Sequence, residues 1–158
     1  MKACCFQDYQ GHVFWDQETW MYPPVLLLHS DIAQLLLRTR QRTASAALSW
    51  AVNNGNQGMQ FPWESGLTGS DVTPAATCSR YEQHISGDIA FSIDQYLRAT
   101  GDVNLLHSNR YNITFLEILE GIATFWKSRL QLNKTSGKYS INGLILLLRN
   151  YYFAYHVT

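Results

Sequence analysis

Apolar residues recur at helical spacing in several parts of the chain. Val25–Leu28 together with Ile32, Ala33 and Leu35–Leu37 form the densest cluster. This cluster reads as buried core, in one helix or in two short helices with a cap at Ser30 or Asp31. It is too short, and too interrupted by His29, Ser30 and Asp31, to span a membrane. Arg38, Arg40 and Arg42 predict a polar turn, and the alanine-rich run 43–53 a further helix stopped by Asn53-Asn54-Gly55. Ile89, Ile93, Tyr96 and Leu97 predict a helix over 85–100, ended by Thr100-Gly101-Asp102. Phe115, Ile118, Leu119, Ile122, Phe125 and Trp126 form the stripe of a longer helix over about 111–130, with Glu117, Glu120, Thr124, Lys127 and Ser128 on its other face.

Elsewhere the pattern is weaker. Residues 1–15 read as an irregular lead-in. A helix starts near Asp16, with Glu18 in its first turn and Asp16 and Trp20 one turn apart on one face. Pro23-Pro24 break that helix or start the next. Residues 55–80 have no helical period, and a loop of this length inside a domain is functional or disordered. Phe61, Trp63 and Glu64 lie in it, which favours function. Residues 133–137 read as a turn and 138–141 as a short strand. From Leu144 to Val157, eleven of fourteen residues are apolar without a clean period, and Arg149 and Asn150 interrupt them. No strand series alternates with the helices, so the predicted class is all-α, built of helical hairpins with long loops at one end.

At 158 residues the chain is long enough for one domain with a core of useful size. Net charge is zero and charged residues make up 15%, which leaves no basic stripe for nucleic acid and no polybasic run for a membrane surface. Aromatic residues reach 13%, enough to serve binding as well as core. Cys4, Cys5 and Cys78 have no metal-site spacing and are odd in number, which fits a reducing, cytoplasmic setting. The triplets Asn112-Ile113-Thr114 and Asn133-Lys134-Thr135 keep a secreted or lysosomal one open. The five histidines are scattered, and no metal site or cofactor is expected.

Three stretches place carboxylates beside flat rings or a histidine. Gly11–Trp20 holds three aromatics, two carboxylates and a histidine; Gln60–Ser65 holds Phe61, Trp63 and Glu64; Tyr81–Ile89 holds Glu82, His84 and Asp88. A pyranose offers C–H groups to an aromatic face and hydroxyls to carboxylates, so sugars suit such surfaces. Each stretch has a plainer role open to it. Asp16 can cap a helix while Trp15 and Trp20 enter the core, residues 61–65 can plug the end of a bundle, and Asp88 can be a first-turn acid.

Read together, the runs GHVFWDQETWMYPPVLLLH, NGNQGMQFPWESGLTGSDVTP, YEQHISGDIAFSIDQYLRATGD and GKYSING resemble glycoside hydrolase family 65, in the right order over about residues 9–143. That family includes maltose, kojibiose and trehalose phosphorylases, acid trehalases and the animal glucosidase acting on glucosylgalactosyl-hydroxylysine of collagen. The resemblance implies an incomplete (α/α)6 barrel, with residues 1–143 the N-terminal part of the central catalytic domain and 144–158 a divergent apolar tail. It implies a bound α-glucoside lying against Trp15 and Asp16, with Glu18 in the same motif. Phe61, Trp63 and Glu64 would line the same mouth, and His84 and Asp88 would be further pocket or support residues. Inorganic phosphate would enter only in a phosphorylase.

One departure changes the functional expectation. The family's general acid is the glutamate of a G-x-x-x-P-D-E-Y-H type motif soon after K-Y-x-I-x-G. Here Lys138–Gly143 is followed by Leu144-Ile145-Leu146-Leu147-Leu148-Arg149, and no Glu follows Glu120. Inverting cleavage needs a protonated carboxyl at the leaving oxygen and an activated nucleophile on the opposite face. Asp16 cannot fill both roles. The expectation is a sugar-binding fragment of an inverting α-glucoside-acting enzyme, with the animal-type glucosidase favoured, inactive alone. The alternative is a non-catalytic chain binding a sugar or a partner. An incomplete toroid also exposes apolar helix faces, which predicts association.

Overall fold

The computed structural model describes residues 9–145 and 154–157. Strand β1 (Val13–Phe14) leads into a π-helical turn at Gln17–Met21, followed by α1 (Tyr22–Leu28) and α2 (Ser30–Asn53). A long loop holds β2 (Glu64–Ser65) and precedes α3 (Ala76–Tyr81). Then come α4 (Ile85–Thr100), a 3-10 turn at Val103–His107 and α5 (Phe115–Arg129). Strands β3 (Gln131–Leu132), β4 (Tyr139–Ile145) and β5 (Ala154–Val157) form a small antiparallel sheet in that order. The fold is helix-rich, as the periodicity predicts.

Helices α2, α4 and α5 pack on one another, with α1 and the π turn against α2 and α4. Alanines at 33, 44 and 47 give α2 a small-residue face, and Ile85, Ile89 and Ile93 of α4 and Phe115, Ile118 and Ile122 of α5 fill the space beside it. Helix α4 occupies the span its periodicity predicts. It stops at Gly101, whose φ of +70° lets its N–H return to the Leu97 carbonyl at 2.9 Å. Helix α5 starts later than predicted, at Phe115, because Thr114 and Glu117 form a reciprocal capping box.

Three expectations are corrected. The three arginines do not mark a turn: α2 runs unbroken through them, because Arg40 is 2% exposed and its charge is met inside the protein. No side chain caps the start of α2 either. His29, at φ −149° and ψ 77°, separates it from α1, and Pro23-Pro24 begin α1, where missing N–H groups cost nothing. Nor is the apolar run from Val25 to Leu37 uniformly core. Ala33 and Leu37 are buried, whereas Leu27, Leu28 and Leu35 are 84%, 71% and 57% exposed.

The loop after α2 is tied across the helices by its backbone. Met59 N–H donates to the Gly121 carbonyl at 2.8 Å, Gln60 N–H to the Ala47 carbonyl at 3.1 Å, and Phe61 N–H to Ser86 Oγ at 3.0 Å. Gly58, at φ +71°, makes this approach possible: a Cβ there would sit 2.2 Å from the Gly121 carbonyl oxygen. In β4 a register shift between Ile141 and Leu144 coincides with Gly143 at φ +71°. The strand thus continues past the predicted boundary at 143, while residues 146–153 of the apolar tail lie outside the described residues.

Candidate functional site

Strands β1 and β2 join two of the three motif stretches. Val13 pairs with Ser65 and Phe14 with Glu64 in antiparallel register. Behind the ladder stands Arg40. Its Nε donates to Glu18 Oε1 at 2.8 Å and its Nη2 to Glu18 Oε2 at 2.8 Å, a bidentate ion pair with both side chains 2% exposed. Nη2 also donates to the Phe14 carbonyl at 3.1 Å, and Nη1 to Ser65 Oγ at 3.2 Å. One buried guanidinium therefore links α2, the π turn, β1 and β2. Gln17 Nε2 donates to Glu18 Oε1 at 2.8 Å, so the Glu18 carboxylate is fully engaged.

The side chains carried by this frame open onto a groove of about 700 Å³. Tyr9, His12, Phe14, Trp15, Asp16 and Trp63 contribute to its wall. The rings support one another edge to face: Tyr9 with Phe14 at 5.0 Å and 77°, Phe14 with Trp63 at 5.4 Å and 89°. Asp16 is exposed, and its carboxylate makes no hydrogen bond or ion pair with the described residues. The helix-cap role is therefore not the one it plays. His12 Nδ1 lies 2.7 Å from Oε1 of the buried Glu64.

The third stretch meets the groove from behind. Trp15 and His84 are in edge contact, with centroids 5.3 Å apart and planes at 83°. His84 Nδ1 bonds Asp88 Oδ2 at 2.6 Å, and its Nε2 lies 3.2 Å from Glu82 Oε2. Burial works against the charged ring, but the bonds to Asp88 and Glu82 outweigh it and raise the His84 pKa to about 9. At neutral pH an imidazolium thus sits between two carboxylates behind Trp15.

Of the eight residues singled out in the sequence, Trp15, Asp16 and Trp63 line the groove. The other five stand behind it. Glu18 is consumed by Arg40, and Glu64 holds His12. Phe61 is 1% exposed within the core, where the loop anchoring pulls its ring inward, and so does not line the mouth as expected. His84 and Asp88 reach the groove only through Trp15. Arg40 and Tyr9 were not recognised as members of this assembly, and Glu82 and His12, though inside the motif stretches, were not singled out as site residues. His12 stands two residues before Phe14-Trp15-Asp16, and Arg40 falls on the helical period that joins Leu37 to Ala44, so both left a signal.

Comparison with known proteins bears on this arrangement. The family model "Glycosyl hydrolase family 65 central catalytic domain" matches residues 5–146. A protein-glucosylgalactosylhydroxylysine glucosidase of Danio rerio is 40% identical over 139 residues, 88% of this chain and 21% of the relative. A kojibiose hydrolase of Flavobacterium johnsoniae is 40% identical over 138 residues, covering 87% of this chain and 19% of the relative. Among solved structures, a putative kojibiose phosphorylase from the human microbiome superposes with a TM-score of 0.79 at 26% identity, over 87% of this chain and 17% of that one. The chain spans about a fifth of the length of the curated relatives it matches.

Proposed function

Because the chain belongs to glycoside hydrolase family 65, we propose that it forms the glucose-binding half of an inverting α-glucoside-acting site. In this reading residues 1–143 are the N-terminal part of an (α/α)6 central domain and 144–158 a divergent tail. The observation that carries it is Asp16: an exposed carboxylate without a partner among the described residues, beside Trp15 on an aromatic-walled groove. An ionised carboxylate accepts hydrogen bonds, a sugar hydroxyl donates them, and the C–H face of a pyranose lies on the rings. Trp15 and Trp63 are the walls, Asp16 the anchor. Glu18, Glu64, His84 and Asp88 hold these groups in place, and Phe61 fixes the loop beneath Trp63.

The reaction class of the parent activity is glycosidic cleavage. Hydrolysis of a glucosyl-galactosyl disaccharide is favoured by GHVFWDQETW and by the similarity to the Danio rerio glucosidase. Phosphorolysis is the variant suggested by the phosphorylase-like structure. This chain alone is expected to bind without turnover, because the residues after Lys138–Gly143 carry no Pro-Asp-Glu and general acid–base assistance is worth roughly 10²–10⁴-fold per group. A second reading, a non-catalytic chain that binds a partner, is favoured by the exposed leucines of α1 and α2.

Titration of the chain with methyl α-D-glucopyranoside, followed by tryptophan fluorescence and calorimetry, tests the first reading. Saturable binding lost in Trp15→Ala and weakened in Asp16→Asn is expected, with no glucose released from kojibiose or from glucosylgalactosyl-hydroxylysine. Binding indifferent to both substitutions would remove the half-site. Turnover that depends on Asp16 would remove the missing-acid argument.

A further inference from the structure

We propose that His12, oriented by Glu64, is a ligand-contacting residue of the groove, its Nε2 sharing a hydrogen bond with a hydroxyl of the glucosyl unit. The inference rests on the reading of the groove as a sugar half-site and assigns a further specificity residue within it.

The geometry starts with Glu64. Pairing with Phe14 fixes its backbone, its N–H donates to Thr73 Oγ1 at 3.2 Å, and its carbonyl accepts from Val72 N–H at 3.1 Å. The side chain is buried, and its Oε1 meets His12 Nδ1 at 2.7 Å. His12 is itself fixed by a tight turn, its N–H donating to the Tyr9 carbonyl at 2.8 Å. An ionised carboxylate only accepts, so the imidazole proton facing it sits on Nδ1. That leaves Nε2 as the ring nitrogen open to a ligand. Nε2 has no partner among the described residues, and His12 is part of the groove wall.

His12 Nε2 and the Asp16 carboxylate are thus polar groups of the groove wall without a partner among the described residues. A sugar hydroxyl, which both donates and accepts, can pair with either. The surrounding rings ask in addition for an apolar face. An uncharged pyranose meets both demands. Glu64 acts through His12 and is a positioning residue.

The test uses the full chain with 15N-labelled histidine and methyl α-D-glucopyranoside as the probe. Two-bond 1H–15N spectra are expected to show His12 with its proton on Nδ1, and the Nε2 resonance is expected to move as the glucoside is added. His12→Phe, which keeps a ring but no ring nitrogen, should weaken binding about three- to tenfold, the worth of one hydrogen bond. If His12→Phe fails to fold, the Nε2 resonance of the unsubstituted chain decides. Binding lost in Trp15→Ala but unchanged in His12→Phe, with Nε2 unmoved, overturns the inference and leaves the half-site standing. Absence of glucoside binding by the unsubstituted chain removes the half-site and this inference together.

Discussion

The groove wall and the outer side of α1 and α2 both present large apolar side chains, but only the wall backs them with paired polar groups. At the wall, rings, carboxylates and histidines come from three distant stretches, and nearly every polar group behind it has a partner: Glu18 with Arg40, His12 with Glu64, His84 with Asp88 and Glu82. On the outer side, Leu27, Leu28, Ile32 and Leu35 are apolar side chains exposed to solvent. A polar network dictates its own geometry, because each buried charge must find one particular partner. An apolar face specifies only that something apolar should cover it. The difference teaches that the groove wall is organised by its buried polar residues, not by the densest hydrophobic segment.

The strongest way to break the wall is to orphan its central ion pair. Arg40→Met leaves the Glu18 carboxylate buried without its cation and removes the links to Phe14 and Ser65. A loss of about 3–5 kcal/mol is expected, read as a lowered urea midpoint. The double variant Glu18→Leu/Arg40→Met should recover most of that stability, since two apolar side chains of similar volume bury no charge. If the single variant loses less than about 1 kcal/mol, the guanidinium does not organise the wall.

How much of this was legible follows the same division. Helix α4 could be read to its last residue, because its period and its Gly101 stop are local. The motif stretches could be read as belonging together, but not which members face the groove. Glu18 and Asp16 are two residues apart, and only the position of Arg40, on another helix, makes one structural and leaves the other open. The Arg38, Arg40, Arg42 series reads as a solvated turn when the partner is unseen. The pairing of His12 with Glu64 spans 52 residues and has no local trace. The capping box at Thr114 was present in the sequence, but Glu117 also fits the polar face of the helix, and that reading concealed it. Burial of the Val25–Leu37 cluster was the least legible feature, since periodicity shows that a face is apolar and not that it is covered.

A smaller effect sharpens the role of the imidazolium behind Trp15. The folded His84 ring holds its proton to about pH 9, above its ordinary value of 6.5. Its stabilising contribution is therefore complete below about pH 6.5 and is lost as pH rises through about 9. Each tenfold in proton affinity is worth about 1.4 kcal/mol. Urea unfolding of the chain should weaken progressively across that window, and His84→Gln, which cannot titrate, should flatten the slope there. Trp15 emission should change over the same range, because the ring in edge contact with it loses its charge. An identical slope in chain and variant would mean that the clamp with Asp88 and Glu82 does not hold in solution.

The smallest effect on stability is expected on the outer side, and it turns on residues that are close neighbours in α2. Leu35 is 57% exposed and Leu37 is 2% exposed, on different faces of one helix. Replacing Leu27 and Leu35 together by Gln removes apolar surface that already lies in water, so the urea midpoint should correspond to a change within about 0.5 kcal/mol. Leu37→Ala, which empties a packed site, should cost about 2–5 kcal/mol. Association should respond in the opposite order: sedimentation velocity should show the Gln variant shifted towards monomer, while any Leu37→Ala that remains folded associates as before. If the paired Gln substitutions instead cost as much as Leu37→Ala, the outer leucines are packed against something in solution. The contrast between the two sides of the molecule would then lie in what covers them, not in how their polar groups are paired.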